Sequence, residues 1–148
     1  MRTLLCLLLL ATTVHAQPKP DPEAVAIRAA ALDYIEGWYE GNPTRMAHAV
    51  HPELVKRIVA NEAGVSRIEN MGATKLVANV RAGYGKTTPK EKQLKAVTIL
   101  DRYQNAASVK IVASDWVDYL HMAKLDGRWQ IVNVLWEKNP EPPKPATK

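Results

Sequence analysis

The sequence predicts an α+β domain, with helices first and an antiparallel sheet after them. Three observations lead there. Up to Ala82 the apolar residues recur mostly at helical spacing between capping signals. From Gln93 onward, β-branched residues alternate with polar ones. Asp126-Gly127 separates two such runs and is a strong hairpin signal.

The chain opens with features of a secretory leader. Arg2 precedes an apolar run, Leu4 to Leu10, broken only by Cys6, and small residues lead up to Ala16. Cleavage is expected between Ala16 and Gln17. The run is short of the roughly 20 apolar residues that span a bilayer, so residues 1–16 read as a cleaved signal and not an anchor. Cys6 is the only cysteine, so the processed chain would have neither thiol nor disulfide. The expected destination is the periplasm or the exterior. Gln17 to Pro22 reads as a linker. Asn139 to Lys148, with four prolines and no apolar cluster, reads as a disordered tail. The domain is placed at residues 23–138, one core's worth of chain.

Glu23 to Glu40 has a helical stripe of Ala24, Ile27, Ala31, Tyr34, Ile35 and Trp38, with Asp33, Glu36 and Glu40 opposite. Asp21 is positioned to cap it, Pro22 to start it and Gly41 to end it. Asn42-Pro43 opens a second helix, which His51-Pro52 breaks. Glu53 to Asn61, with Leu54, Val55, Ile58 and Val59, reads as a short helical segment, and Ala73 to Ala82 as another helix. Leu94 to Tyr103 is a strand, followed by a turn at Gln104-Asn105. Ala107 to Leu125 reads as one long extended stretch that bends or bulges near Ser114-Asp115. Arg128 to Glu137 is the last strand.

The order of these features resembles a known family. Ile35 to Gly41 (IEGWYEG), His51-Pro52, Asp115 to His121 (DWVDYLH) and Asp126 to Glu137 (DGRWQIVNVLWE) are together similar to the nuclear transport factor 2-like superfamily. Within it the nearest likeness is to exported bacterial proteins called putative lumazine-binding proteins. The resemblance covers Glu23 to Lys138. It implies a cone-shaped fold: a curved antiparallel sheet wrapped around a long N-terminal helix, with two or three further short helices and a pocket at the wide end. It also implies association through the sheet. Enzymes, binding domains and association domains share this fold, so function must come from the site.

Several residues are candidates for that site. Trp38 is either a pocket wall or core, and Tyr34, on the same stripe, would need a hydroxyl partner if buried. His48 and His51 lie three apart, but no third ligand or metal motif accompanies them, so no metal is expected. His51 either shapes the pocket rim or satisfies backbone groups at the helix end. Asp115, Asp118 and His121 are the candidate acid–base groups, because a carboxylate beside an imidazole in an apolar pocket can move protons. In regular strand geometry Tyr119 and His121 share one face and Asp118 takes the other. On the last strand Trp129, Ile131, Asn133 and Leu135 alternate onto one face, which makes Asn133 a lone amide among apolar side chains and a candidate ligand contact. Val132, Val134 and Trp136 make the other face apolar too, and a second copy of the chain would cover it.

The candidate ligand-binding set is therefore Tyr34, Trp38, His51, Tyr119, His121 and Asn133. Three functions remain open: a module binding a small, largely apolar or planar organic molecule, a cofactor-free isomerase, dehydratase or cyclase using Asp115 or Asp118 with His121, or a dimeric association domain. Removing Arg2 takes one unit from the formal charge of +5, and the remaining cations are scattered. A basic stripe with interleaved aromatics is missing, which argues against nucleic acid. No cofactor motif is found.

Overall fold

The computed structural model describes residues 19–140. The expected leader and residues 141–148 of the expected tail lie outside the described residues. Helix α1 (Pro22–Glu40) begins as its capping signals require: the Asp21 side chain accepts a hydrogen bond from Glu23 N at 2.9 Å, and Pro22 occupies the first position. It ends on Gly41 in the left-handed conformation. Asn42 then caps α2 (Pro43–Ala49). The buried face of α1 carries Ile27, Ala31, Tyr34 and Ile35, and the sheet curls around it.

That sheet has six strands: β1 (Val50–Glu62), β2 (Val65–Gly72), β3 (Lys95–Tyr103), β4 (Ala106–Ala113), β5 (Trp116–Leu125) and β6 (Arg128–Lys138), in the order β2-β1-β6-β5-β4-β3. All neighbours are antiparallel except β1 and β6. Helix α3 (Ala73–Arg81) and two short 3₁₀ turns cross between β2 and β3. Asp126-Gly127 closes the β5–β6 hairpin with both residues at positive φ, the two-residue geometry whose twist matches the flanking strands.

Three expectations need correction. Glu53 to Asn61 is strand, not helix, because it lies inside β1, where Leu54 and Lys56 point inward at period two. Its partner β2, unassigned from sequence, follows a tight turn at Ala63-Gly64. The long stretch Ala107 to Leu125 is not one bent strand but an antiparallel pair, β4 and β5, reversing at Ser114-Asp115. Hydrogen bonds hold that reversal without help from glycine or proline. Ser114 Oγ donates to Lys92 O at 2.6 Å and accepts from Leu94 N at 3.0 Å, and Ser114 N donates to Tyr39 Oη at 3.1 Å. Asn139, expected in the disordered tail, donates through its backbone N–H to Asp115 O at 2.8 Å and through Nδ2 to Ser114 O at 2.9 Å.

The third correction concerns β6. Register with β5 shifts between His121 and Met122: His121 pairs with Asn133, but Met122 pairs with Ile131. Val132 is the extra residue of a β-bulge. Past it the alternation changes phase, so Val134 and Trp136 join Trp129 and Ile131 on the inner face. Asn133 and Leu135 turn outward.

Arg45 ties α2 to α1. It bonds Asp33 (2.8 Å), Glu40 (2.9 Å) and Glu36, and Lys95 reaches Glu36 from β3 at 3.0 Å. Arg45→Ala is expected to lower unfolding free energy by about 1–2 kcal/mol at neutral pH, measured by urea denaturation. Burial pushes the Glu36 carboxyl upward, but hydrogen bonds from Lys95 and Arg45 outweigh it and hold the group below its ordinary range. A carboxyl lowered on folding stabilises above its unfolded pKa, about 4.3, and that contribution disappears as pH falls through the folded value. The gap between wild type and Arg45→Ala should therefore be full near pH 7 and close in strong acid.

Candidate functional site

Between α1, α3 and the inner face of the sheet lies a cavity of about 150 Å³. Its walls are aromatic. Trp38 comes from the end of α1, Trp116 from the start of β5 and Trp136 from β6, while Met71 and Leu76 complete the apolar lining. Trp38 and Trp116 meet edge to face, with ring centroids 5.9 Å apart and planes at 80°, an arrangement the ring quadrupoles favour. The 3₁₀ turn at Tyr84–Thr87 seals the back of Trp38, and Gly85 lies so close that a Cβ there would come within 2.1 Å of Trp38 O.

The polar part of the cavity is one cluster. Lys56, on β1, is 8% exposed, and Asp118, on β5, is 0% exposed. The Lys56 ammonium forms an ion pair with Asp118 Oδ1 and donates to Tyr34 Oη at 2.7 Å. Trp116 Nε1 donates to Asp118 Oδ2 at 2.6 Å, so both carboxylate oxygens are engaged. The Lys56 Nζ also lies 4.8 Å from the centre of the Trp136 ring, within cation–π range. Burial pulls the Lys56 pKa below its ordinary value, with Asp118 opposing that pull. Burial, and next the neighbouring Asp118 charge, raise the Tyr34 phenol well above its ordinary value. Tyr34 is therefore neutral at physiological pH. Such a cluster can hold and orient a polar group of a ligand inside an otherwise dry space.

The predicted site residues divide sharply. Tyr34 and Trp38 line the cavity, and Asp118 is buried beside it, facing inward as alternation required. Tyr119 and His121 lie on the outer face, Tyr119 being 47% exposed. Asn133 joins them there because of the Val132 bulge: its Oδ1 accepts from Arg57 Nη1, and its Nδ2 is 3.3 Å from His121 Nδ1. His51 sits at the start of β1, away from the cavity, and its Nδ1 accepts from Glu53 N at 3.2 Å. That is the local backbone role, not a pocket rim. Asp115 is exposed in the β4–β5 turn. The acid–base set Asp115, Asp118 and His121 is thus not assembled, since its members lie in a turn, inside the sheet and outside it. No cluster of three or more His, Cys, Asp or Glu suited to a metal occurs among the described residues.

The family model described as "Putative lumazine-binding" matches residues 22–137. The chain belongs to this family. The match runs from the first residue of α1 to the penultimate residue of β6, so it covers every element that builds the cavity. Solved structures place the family member in the nuclear transport factor 2-like fold. A nuclear transport factor 2-like protein of unknown function from Shewanella baltica is 19% identical, with TM-score 0.64 over 80% of this chain and 95% of that one. A ketosteroid isomerase-like protein from Erwinia carotovora atroseptica is 15% identical, with TM-score 0.53 over 82% of this chain and 99% of that one. A putative Ca/calmodulin-dependent kinase II association domain from Exiguobacterium sibiricum is 8% identical, with TM-score 0.60 over 85% and 100%. At these identities the likeness concerns the fold alone. Among curated proteins, none matches this sequence.

In this member of the Putative lumazine-binding family, sequence reading missed Lys56, Trp116 and Trp136 as cavity residues. Lys56 was hidden by the helical assignment of its segment, and Trp136 by the bulge. Trp116 directly follows the misread reversal at Ser114-Asp115. The signal that could have revealed Lys56 was its place two residues after Leu54, in a β-branched run ending at a turn-forming Ala63-Gly64.

Proposed function

We propose that this member of the Putative lumazine-binding family holds a small, largely apolar and planar organic molecule in the cavity between α1 and the sheet. The observation that carries this is the make-up of the cavity: three tryptophans, Met71 and Leu76 surround one largely buried polar cluster. Flat rings stack on such walls, and the cluster fixes their orientation. The volume suits one ring, since a cavity of about 150 Å³ accepts benzene, and a larger molecule would extend past the half-exposed rim. Engagement of both Asp118 oxygens favours binding over proton abstraction by that carboxylate. The test is native mass spectrometry of the protein from its own host, with melting temperatures measured against phenol and indole. Bound mass or a rise in melting temperature is expected, and neither appearing would sink the reading. Trp136→Ala, which removes one wall, should weaken binding of any stabilising probe about tenfold, measured by calorimetry.

Export belongs to the same proposal and rests on residues 1–16. Intact-mass measurement of protein recovered from the host envelope or medium should give a chain starting at Gln17. A homodimer through the outer sheet face is a further reading. Tyr119 and Leu135 pair across β5 and β6 and are 47% and 48% exposed, and one fold relative is an association domain by name. Light scattering should give twice the chain mass, falling to the single mass for Leu135→Glu.

A further inference from the structure

Beyond its two bonds within the polar cluster, the Lys56 ammonium has one N–H with no protein acceptor among the described residues. A lysine ammonium carries three N–H groups. Lys56 gives one to Tyr34 Oη and one to Asp118 Oδ1, and among the described residues it makes no third hydrogen bond. The ring faces of Trp136 and Tyr34 lie beside Nζ, with centres 4.8 and 5.5 Å away, and a ring face is a weaker partner than an oxygen. Because Lys56 lines the cavity, a ligand acceptor that enters there can take this N–H.

Charge narrows the class of ligand. Lys56 and Asp118 already neutralise one another at contact distance. An anion entering the cavity would gain Lys56 but lie close to the Asp118 carboxylate, leaving the nearly dry site with a net negative charge. A cation would meet the Lys56 ammonium. An uncharged ligand carries neither penalty.

We propose that the cavity takes an uncharged, single-ring ligand bearing a carbonyl-type oxygen that accepts the third N–H of Lys56. This rests on the ligand-binding reading above and adds the charge and the anchoring atom. The carbonyl lies in the ring plane or conjugated to it, since the same molecule must stack between tryptophan walls while reaching the cluster.

Four probes of similar shape separate the alternatives: acetophenone, ethylbenzene, benzoate and benzylammonium. Each is titrated into the purified chain, with the indole N–H signals of Trp116 and Trp136 followed by NMR. Acetophenone should bind at least about tenfold tighter than the other three. In Lys56→Met/Asp118→Asn, which removes the ammonium without leaving a lone buried charge, the preference for acetophenone over ethylbenzene should fall severalfold. Equal binding of acetophenone and ethylbenzene to the native chain would overturn the proposal, as would tighter binding of benzoate. A preference for acetophenone that persists undiminished in the double variant would overturn it too. If none of the four shifts either indole signal, the ligand-binding reading fails along with it, and that outcome is distinct from a probe binding without preference.

Discussion

Asp118→Ala should cost about 3–5 kcal/mol of unfolding free energy. Asp118 is fully buried, and Lys56 opposite it is almost so. Removing the carboxylate leaves an ammonium in an apolar space with Tyr34 Oη as its one remaining hydrogen-bond acceptor, and it strands Trp116 Nε1 as well. The charge must then be lost or rehydrated, and either course is expensive. Removing both charges is a different matter, because a buried ion pair often contributes little beyond its neutral replacement. Lys56→Met/Asp118→Asn should therefore recover most of the loss, since the amide introduced at position 118 can still accept from Trp116. Urea denaturation of the two variants decides the matter, and equal losses in both would contradict it.

Gly85→Val is the second large effect. A Cβ at position 85 would come within 2.1 Å of Trp38 O and 2.5 Å of Trp38 Cδ1. The nearer atom belongs to the backbone of α1, which cannot step aside as a flexible side chain can. Overpacking typically costs about 1–3 kcal/mol, and this substitution belongs at or above the upper end. Either the Tyr84–Thr87 turn lifts off or Trp38 is driven into the cavity. Both routes disturb the Trp38–Trp116 contact, so a change in near-ultraviolet circular dichroism should accompany the drop in stability. A variant with unchanged stability and spectrum would show that the turn does not seal the cavity.

The fold was more legible in the sequence than the site, and the reason is physical. Asp21, Pro22, Gly41, Asn42, Pro43 and the Asp126-Gly127 pair act locally, so their meaning survives without neighbours. The site depends on phase, meaning which face of a strand a residue takes, and phase is set by pairing that no local pattern records. Leu54, Val55, Ile58 and Val59 fit helical spacing as well as strand, and β1 is a strand because β2 and β6 flank it. That uncertainty alone hid Lys56. Tyr34 and Trp38 share the inward stripe of α1 that sequence spacing indicated, because a capped helix fixes its own phase. Tyr119 and His121 were chosen for their chemistry although simple alternation already set them opposite Asp118. Asn133 was lost to a bulge, which leaves no mark on hydrophobic alternation where both faces are apolar.

That bulge at Val132 acts like a frameshift written in space rather than in codons. Everything after it is read one step out of phase, so the single extra residue decides that Trp136 walls the cavity while Leu135 faces the surroundings. Deleting Val132 would remove the bulge and leave Asn133 and Leu135 outside and Val134 and Trp136 inside, in one unbroken alternation; keeping Val132 but pairing it regularly would exchange the two readings. In a strand apolar on both faces such a change need not prevent folding. A relative with the same architecture and the same strand length, but no bulge at this position, would therefore have an entirely different interior.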